Sequence, residues 1–359
     1  YCFISTLIIC AGLKLNEILR FPNAIHAFCW FPWILYSITI ALQKRVYIKP
    51  IFIIFFSTLC ILTAGYPYYI IYGLILFFSY FIFISLPTVK TLIYEKNEID
   101  SYFKYFLKLS IPSVLALIIV SPWFLGIQEL MEITRDRNLN DISFSTALHS
   151  DIFDHLGSWV FPPMSQAETN YYSGSVVILI ILIYLIYFLK NKKKDQFETY
   201  FIIFFLIFYF LIFQISNSQN SLLFEFLWDK IDLIKNFRAF GRINILLIPL
   251  FGILICFSLK NIIKINKYAH LNKVLIVLGL IIIFLQIYLI KYSNLTSIYW
   301  ETWQSKRLAS ASNAAEQFGF IFELYNNYIY SIFTILSVLI LIFIFNYNFL
   351  KHLLKIIMI

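Results

Sequence analysis

Residues 50–86 read PIFIIFFSTLCILTAGYPYYIIYGLILFFSYFIFISL, and no charged side chain interrupts them. Two apolar runs, Pro50–Ala64 and Pro67–Leu86, approach the roughly 20 residues that a helix needs to cross a hydrocarbon core. Between them stands Gly65-Tyr66-Pro67. Proline has no N–H with which to continue a preceding helix, so the two runs predict a helical hairpin turned at this point.

Outward from the hairpin, the same criterion predicts spans at Tyr1–Gly12, Ala27–Leu42, Leu107–Gly126, Tyr171–Leu189, Thr199–Ile215, Ile243–Leu259, Val274–Ile290 and Tyr328–Leu350. The chain, residues 1–359, then reads as one all-α transmembrane domain, a polytopic bundle of about ten helices. Composition agrees: 61% of residues are hydrophobic, 13% are charged, and the mean hydropathy is +0.81. A soluble domain is about half apolar and a quarter charged.

The formal net charge of +9 invites a nucleic-acid reading, but the basic residues are scattered among short loops and form no phosphate-tracking patch. They sort by side instead. Alternate loops collect 17 basic and five acidic residues, including the Lys190–Lys194 run, whereas the opposite loops carry 11 basic and 14 acidic ones. The positive-inside rule makes the first set cytoplasmic, together with both ends of the chain. The long loops at 127–170, 216–242 and 293–327 then lie outside. All seven tryptophans fall on that outer side, where an interfacial belt is the plain explanation. The five cysteines lie in or beside apolar runs with no CxxC spacing, as small buried hydrophobes do.

Chemistry, if there is any, belongs in the outer loops. Ser121 to Gly174 is the longest polar interval, with seven carboxylates and two of the five histidines. Glu129 and Glu132 are followed by Arg135 and Arg137, which places candidate general bases beside guanidiniums able to hold a phosphate. A solvated, salt-bridged helix end has the same sequence. His149, Asp151 and His155 are spaced too loosely for a metal site, and none is assigned. Residues 150–160 carry Ile152, Phe153, Leu156, Trp159 and Val160 on one face, the pattern of a short amphipathic helix lying on the membrane. Residues 222–236 repeat it, with Glu225, Asp229, Asp232 and Asn236 as the polar stripe. Trp159 could stack on a sugar face. In Asn236-Phe-Arg-Ala-Phe-Gly-Arg-Ile-Asn, Arg238 and Arg242 are four apart and would share a face if helical, gripping a phosphate or pairing with Asp229 and Asp232.

No Walker loop, GxGxxG, HExxH or GxSxG is present, which leaves ATP-driven pumps, dinucleotide enzymes, zincins and α/β-hydrolases unsupported. Nor does any expected span carry a central acid, as a proton relay would.

The order of short motifs resembles that of bacterial YfhO-like membrane proteins in the GT-C class of polytopic glycosyltransferases. The motifs are Trp30-Phe-Pro-Trp33, Ala64-Gly65-Tyr66-Pro67, Gln128 to Arg137, Phe161-Pro162-Pro163, Tyr171-Tyr172-Ser173-Gly174 and Phe237 to Arg242. The resemblance covers roughly residues 13–259. It implies a GT-C-like bundle in a bacterial inner membrane, its partners being the bilayer, a polyprenyl-phosphate sugar donor and a glycan, polymer or lipid acceptor. No cofactor is called for, since the lipid-linked sugar is the substrate. Arg238, Arg242, Arg135 and Arg137 would hold the donor phosphate, Glu129 or Glu132 would take the acceptor proton, and His149, Asp151, His155, Trp159 and Tyr172 would line the sugar and acceptor. The class usually keeps an essential acid in its first outer loop, which would here precede Tyr1. With no initiating Met, the expectation is a chain that starts late. A lipid or polysaccharide translocator and an envelope scaffold are the competing classes.

Overall fold

The computed structural model describes residues 26–44, 48–64, 67–93, 102–134, 175–191, 195–218, 221–231, 234, 240–266, 269–293 and 332–342. Among them every regular element is helical. Four helices are long and apolar enough to cross a membrane, at Tyr68–Ser85, Phe106–Trp123, Gln196–Ser216 and Phe240–Asn261. Shorter apolar helices stand at His26–Ala41, Ile48–Thr63, Val176–Lys190, Lys273–Ile287 and Ile332–Ile342. Nine of the expected spans overlap these helices, four of which are long enough to cross, while Tyr1–Gly12 and parts of Tyr171–Leu189 and Tyr328–Leu350 lie outside the described residues. Plainly established is a helical protein with several helices fit for a membrane.

Two compact units make up the chain. The first, residues 14–150 with 194–251, contains α1 (Phe31–Lys44), α2 (Ile48–Thr63), α3 (Pro67–Ser85), α4 (Pro87–Ile93), α5 (Tyr102–Thr134), α7 (Gln196–Ser216), α8 (Leu222–Lys230) and a 3-10 turn, Phe240–Leu246. It also holds the first residues of α9 (Leu247–Asn266).

Side-chain pairs fix the directions of these helices. Phe31 meets Tyr69 at 6.0 Å between ring centroids, and Thr39 Oγ1 shares a hydrogen bond of 2.9 Å with the Tyr80 hydroxyl, so α1 and α3 run parallel. The hairpin makes α2 antiparallel to both. Thr58 Oγ1 and Ser113 Oγ are hydrogen-bonded at 3.1 Å, and Leu62 packs with Ala116 and Val120, so α5 runs parallel to α2. Phe83 stacks on Phe204 at 4.5 Å and also meets Phe197 at 6.4 Å. Tyr80, one turn earlier on α3, meets Phe204 at 6.2 Å, so α7 runs antiparallel to α3. Phe205 against Phe251 at 5.1 Å and Ile215 against the Phe240 cluster set it antiparallel to the segment that runs from the 3-10 turn into α9. The directions are those of spans that cross alternately. Which end is outside rests on loop charge alone.

Close approach needs small or hydroxylated residues where no hydrophobic effect drives helix pairing, and the α2–α5 seam has them in Thr58, Ser113 and Ala116. α5 runs for 33 residues with Pro112 and Pro122 inside it. Pro122 has no N–H for the carbonyl of Ile118, and the Ser121 hydroxyl donates to that oxygen at 2.7 Å instead. The outer face of α5 exposes Leu107, Ile111, Val114, Leu115, Leu117, Ile118 and Ile119. Each is about half covered already, so left in water each would forgo on the order of 1 kcal/mol of burial, and the face suits lipid.

The second unit comprises residues 1–13, 151–193 and 252–359. Its described helices are α6 (Ser175–Lys190), most of α9, α10 (Ala269–Ser293) and α11 (Ile332–Ile342). Gly279 lets α10 and α11 touch: a Cβ built there would fall 2.8 Å from Ile342 Cδ1 and 3.1 Å from Val338 Cγ1.

Candidate functional site

The site begins where α7 ends. Ser218 takes a positive φ of 52°, a conformation that turns the chain sharply, and its carbonyl accepts from Ser221 N at 2.9 Å. Ser221 then caps α8. Its hydroxyl oxygen accepts from Phe224 N at 3.4 Å, and the same group is bonded to Gln214 Oε1 at 2.7 Å, which ties the cap back to α7.

Phe224 and Trp228, one turn apart on α8, are both buried and meet Phe240 at 4.6 and 6.4 Å. Ile215 and Ile234 close the cluster. Trp228 is therefore a core residue, 7% exposed, and not part of an interfacial belt. Its ring fills the gap between α8 and the 3-10 turn, an option that a count of tryptophans per side cannot register. Trp33 and Trp123, 49% and 42% exposed, remain suited to an interface. Of the amphipathic segment expected over 222–236, Leu222–Lys230 is helical, and that helix ends at Ile231. Glu225 and Asp229 lie exposed as expected, while Leu222 and Phe226 are exposed too. Asp232 and Asn236 lie outside the described residues.

Phe240 anchors the 3-10 turn, and Arg242 follows two residues later, half-buried, with its guanidinium carbon 5.2 Å from the centroid of the Tyr68 ring. Such a cation–π contact is worth about 0.5–2 kcal/mol depending on desolvation. Residues 174 positions apart in sequence, one in the Phe237 to Arg242 motif and one directly after the Gly65-Tyr66-Pro67 turn, are thus neighbours. Arg238 itself lies outside the described residues.

Glu129 and Glu132 stand on the last turns of α5, which continues past the expected end at Gly126. At about 1.5 Å per residue they are roughly 9 and 13 Å beyond Trp123 along the helix axis. Because α5 runs parallel to α2, that end is also the end of the unit where the hairpin turns and Arg242 meets Tyr68. Arg135, Arg137, His149, Asp151, His155, Trp159 and Tyr172 lie outside the described residues. Among the described residues no group of three or more His, Cys, Asp or Glu side chains is placed to hold a metal ion.

No protein-family model, curated protein or solved structure matches this chain. The Arg242–Tyr68 pairing and its surroundings stand on their own geometry. A guanidinium beside an aromatic ring at one end of an apolar helical unit is a planar cation of the kind that recognises phosphate oxygens. The aromatic cluster behind it holds the turn that carries it. No pattern in the sequence pointed to Tyr68 as the partner, although its place beside the hairpin turn on the expected outer side agrees with that of Arg242.

Proposed function

We propose that the chain is a GT-C-like membrane glycosyltransferase, moving a sugar from a polyprenyl-phosphate donor to a glycan, polymer or lipid acceptor on the outer face of a bacterial inner membrane. The observation that carries this reading is the Arg242–Tyr68 pair at one end of the helical unit. It brings the Phe237 to Arg242 stretch beside the residue that follows Ala64-Gly65-Tyr66-Pro67, and a cation at that end of the unit supports a role in holding a carrier lipid's phosphate. Large loops outside and a cytoplasmic C-terminus complete the proposal, on the strength of the loop charges.

The reaction is a displacement at the anomeric carbon. An acceptor hydroxyl attacks that carbon, its proton passes to Glu129 or Glu132, and the bond to the phosphate oxygen breaks. Polyprenyl phosphate leaves with the electron pair, and Arg242 and Arg238 bind its growing charge. Removing donors that meet developing charge costs on the order of 10²–10³ in rate. In membranes containing the protein, supplied with radiolabelled polyprenyl-phosphate sugar, Arg238→Ala combined with Arg242→Ala should lower transfer by that order. Arg242→Lys keeps the charge without the planar fork and should fall between. Unchanged transfer in the double variant would overturn the phosphate assignment.

A further inference from the structure

Cys29 and Cys60 lie on α-helical segments that pack against each other at the same end of the first unit. Trp30 sets its ring against Phe56 at 5.3 Å with a 77° interplanar angle, which locks the start of the first apolar helix onto α2. Cys29 precedes Trp30, and Cys60 lies one helical turn beyond Phe56 on the same side of α2. Because the two helices run antiparallel, both steps lead toward the same end. Both cysteines are free thiols, Cys29 exposed and Cys60 partly covered, and Cys29 Sγ donates to the His26 carbonyl at 3.3 Å. The expectation that every cysteine is a buried hydrophobe fails at Cys29, whose position at a helix start leaves its sulfur open.

We propose that Cys29 and Cys60 form a reversible disulfide that staples the start of the first apolar helix to the end of α2, with Cys29 attacking first and Cys60 resolving. The oxidant is an external disulfide, carried by a protein or a small molecule. The Cys29 thiol gives its proton to water, and its thiolate attacks one sulfur of the oxidant, expelling the other as a thiol. The Cys60 thiolate then attacks Cys29 Sγ in the mixed disulfide and expels the second thiol. The two electrons lost in making the Sγ–Sγ bond leave as the reduced oxidant. Exposure sets the order, since a sulfur must be reached before it can attack.

Oxidised glutathione added to membranes holding the whole protein, followed by maleimide blocking and peptide mass mapping, tests the pair. The expected result is a cross-linked peptide joining Cys29 to Cys60, loss of maleimide from both, and its return on treatment with dithiothreitol. In Cys60→Ser, glutathione should remain attached to Cys29, and in Cys29→Ser the Cys60 peptide should take up maleimide as before. A glutathione adduct that persists on Cys29 in the unaltered protein, full maleimide labelling of both thiols after oxidation, or oxidation of Cys60 undiminished in Cys29→Ser would each overturn the proposal.

Discussion

Phe224→Ala tests whether the aromatic cluster at the end of α7 is what holds the Arg242 turn in place. Phe224 is fully buried and meets Phe240 edge-on at 4.6 Å and Trp228 at 5.7 Å. Truncating a buried phenylalanine costs about 3–5 kcal/mol, of which each aromatic pair supplies about 0.5–1.5 kcal/mol beyond the buried area. α8 has nine residues, too few to stay helical in isolation, so the loss should appear as local opening of α8 and the 3-10 turn. At about 1.4 kcal/mol per tenfold, a loss of 3 kcal/mol multiplies the open population by roughly 150. Hydrogen exchange on the protein in lipid nanodiscs reads this directly: amides of Glu225 to Lys230 and of Ile243 to Leu246 should lose about two decades of protection. Those of Phe201 to Phe208, deep in α7, should not change. Phe226→Ala is the control, because Phe226 is 59% exposed and should shift exchange by no more than about 0.5 kcal/mol. Equal, small effects from both substitutions would refute the claim that this cluster anchors the site.

Two further outcomes probe the helix packing. Gly279→Leu should force α10 and α11 apart, since even a Cβ there meets Ile342 and Val338 inside normal contact distance; overpacking of this kind costs about 1–3 kcal/mol. It should lower the thermal midpoint of the detergent-solubilised protein, with Gly279→Ala giving a smaller drop because the Ile342 tip can rotate away. A double-mutant cycle of Thr58→Val and Ser113→Ala should return a coupling of about 0.6 kcal/mol, the average for hydrogen bonds between membrane helices, and a coupling of zero would mean that the 3.1 Å contact adds nothing to α2–α5 pairing.

Helix positions were legible because a bilayer-length apolar run leaves a chain little choice but to close its own backbone hydrogen bonds. The Gly65-Tyr66-Pro67 hairpin is the clearest case, since both flanking helices start or end within two residues of the expected bounds. Ends were less legible where the signal was not apolarity. α5 continues to Thr134 through Gln128, Glu129 and Glu132, residues of good helix propensity that a span criterion discards as loop. α7 starts at Gln196, three residues before the expected Thr199, capped by Asp195, whose carboxylate accepts from Phe197 N and Glu198 N; an Asp-x-x-Glu spacing is a cap signal that a hydropathy criterion passes over. The short α4, Pro87–Ile93, had only Pro87 to announce it.

Tertiary neighbours were the least legible, and the site depends on them. Alternate crossing predicts that the hairpin turn and residues 216–242 share an end, which the helix directions of the first unit satisfy. It cannot select Tyr68 over Tyr69 or Tyr72, because all three lie in one tyrosine-rich turn and a half of α3. Burial makes the choice: Tyr69 and Tyr72 are 6% exposed and turned into the core, which leaves the half-buried Tyr68 as the ring a cation can reach without losing its water entirely. The same logic explains Trp228, whose fate was set by Phe240 twelve residues on. An arginine held by a ring beside it and an aromatic cluster behind its turn would meet a phosphate with little reorganisation, and the displacement proposed above would draw on that preorganisation.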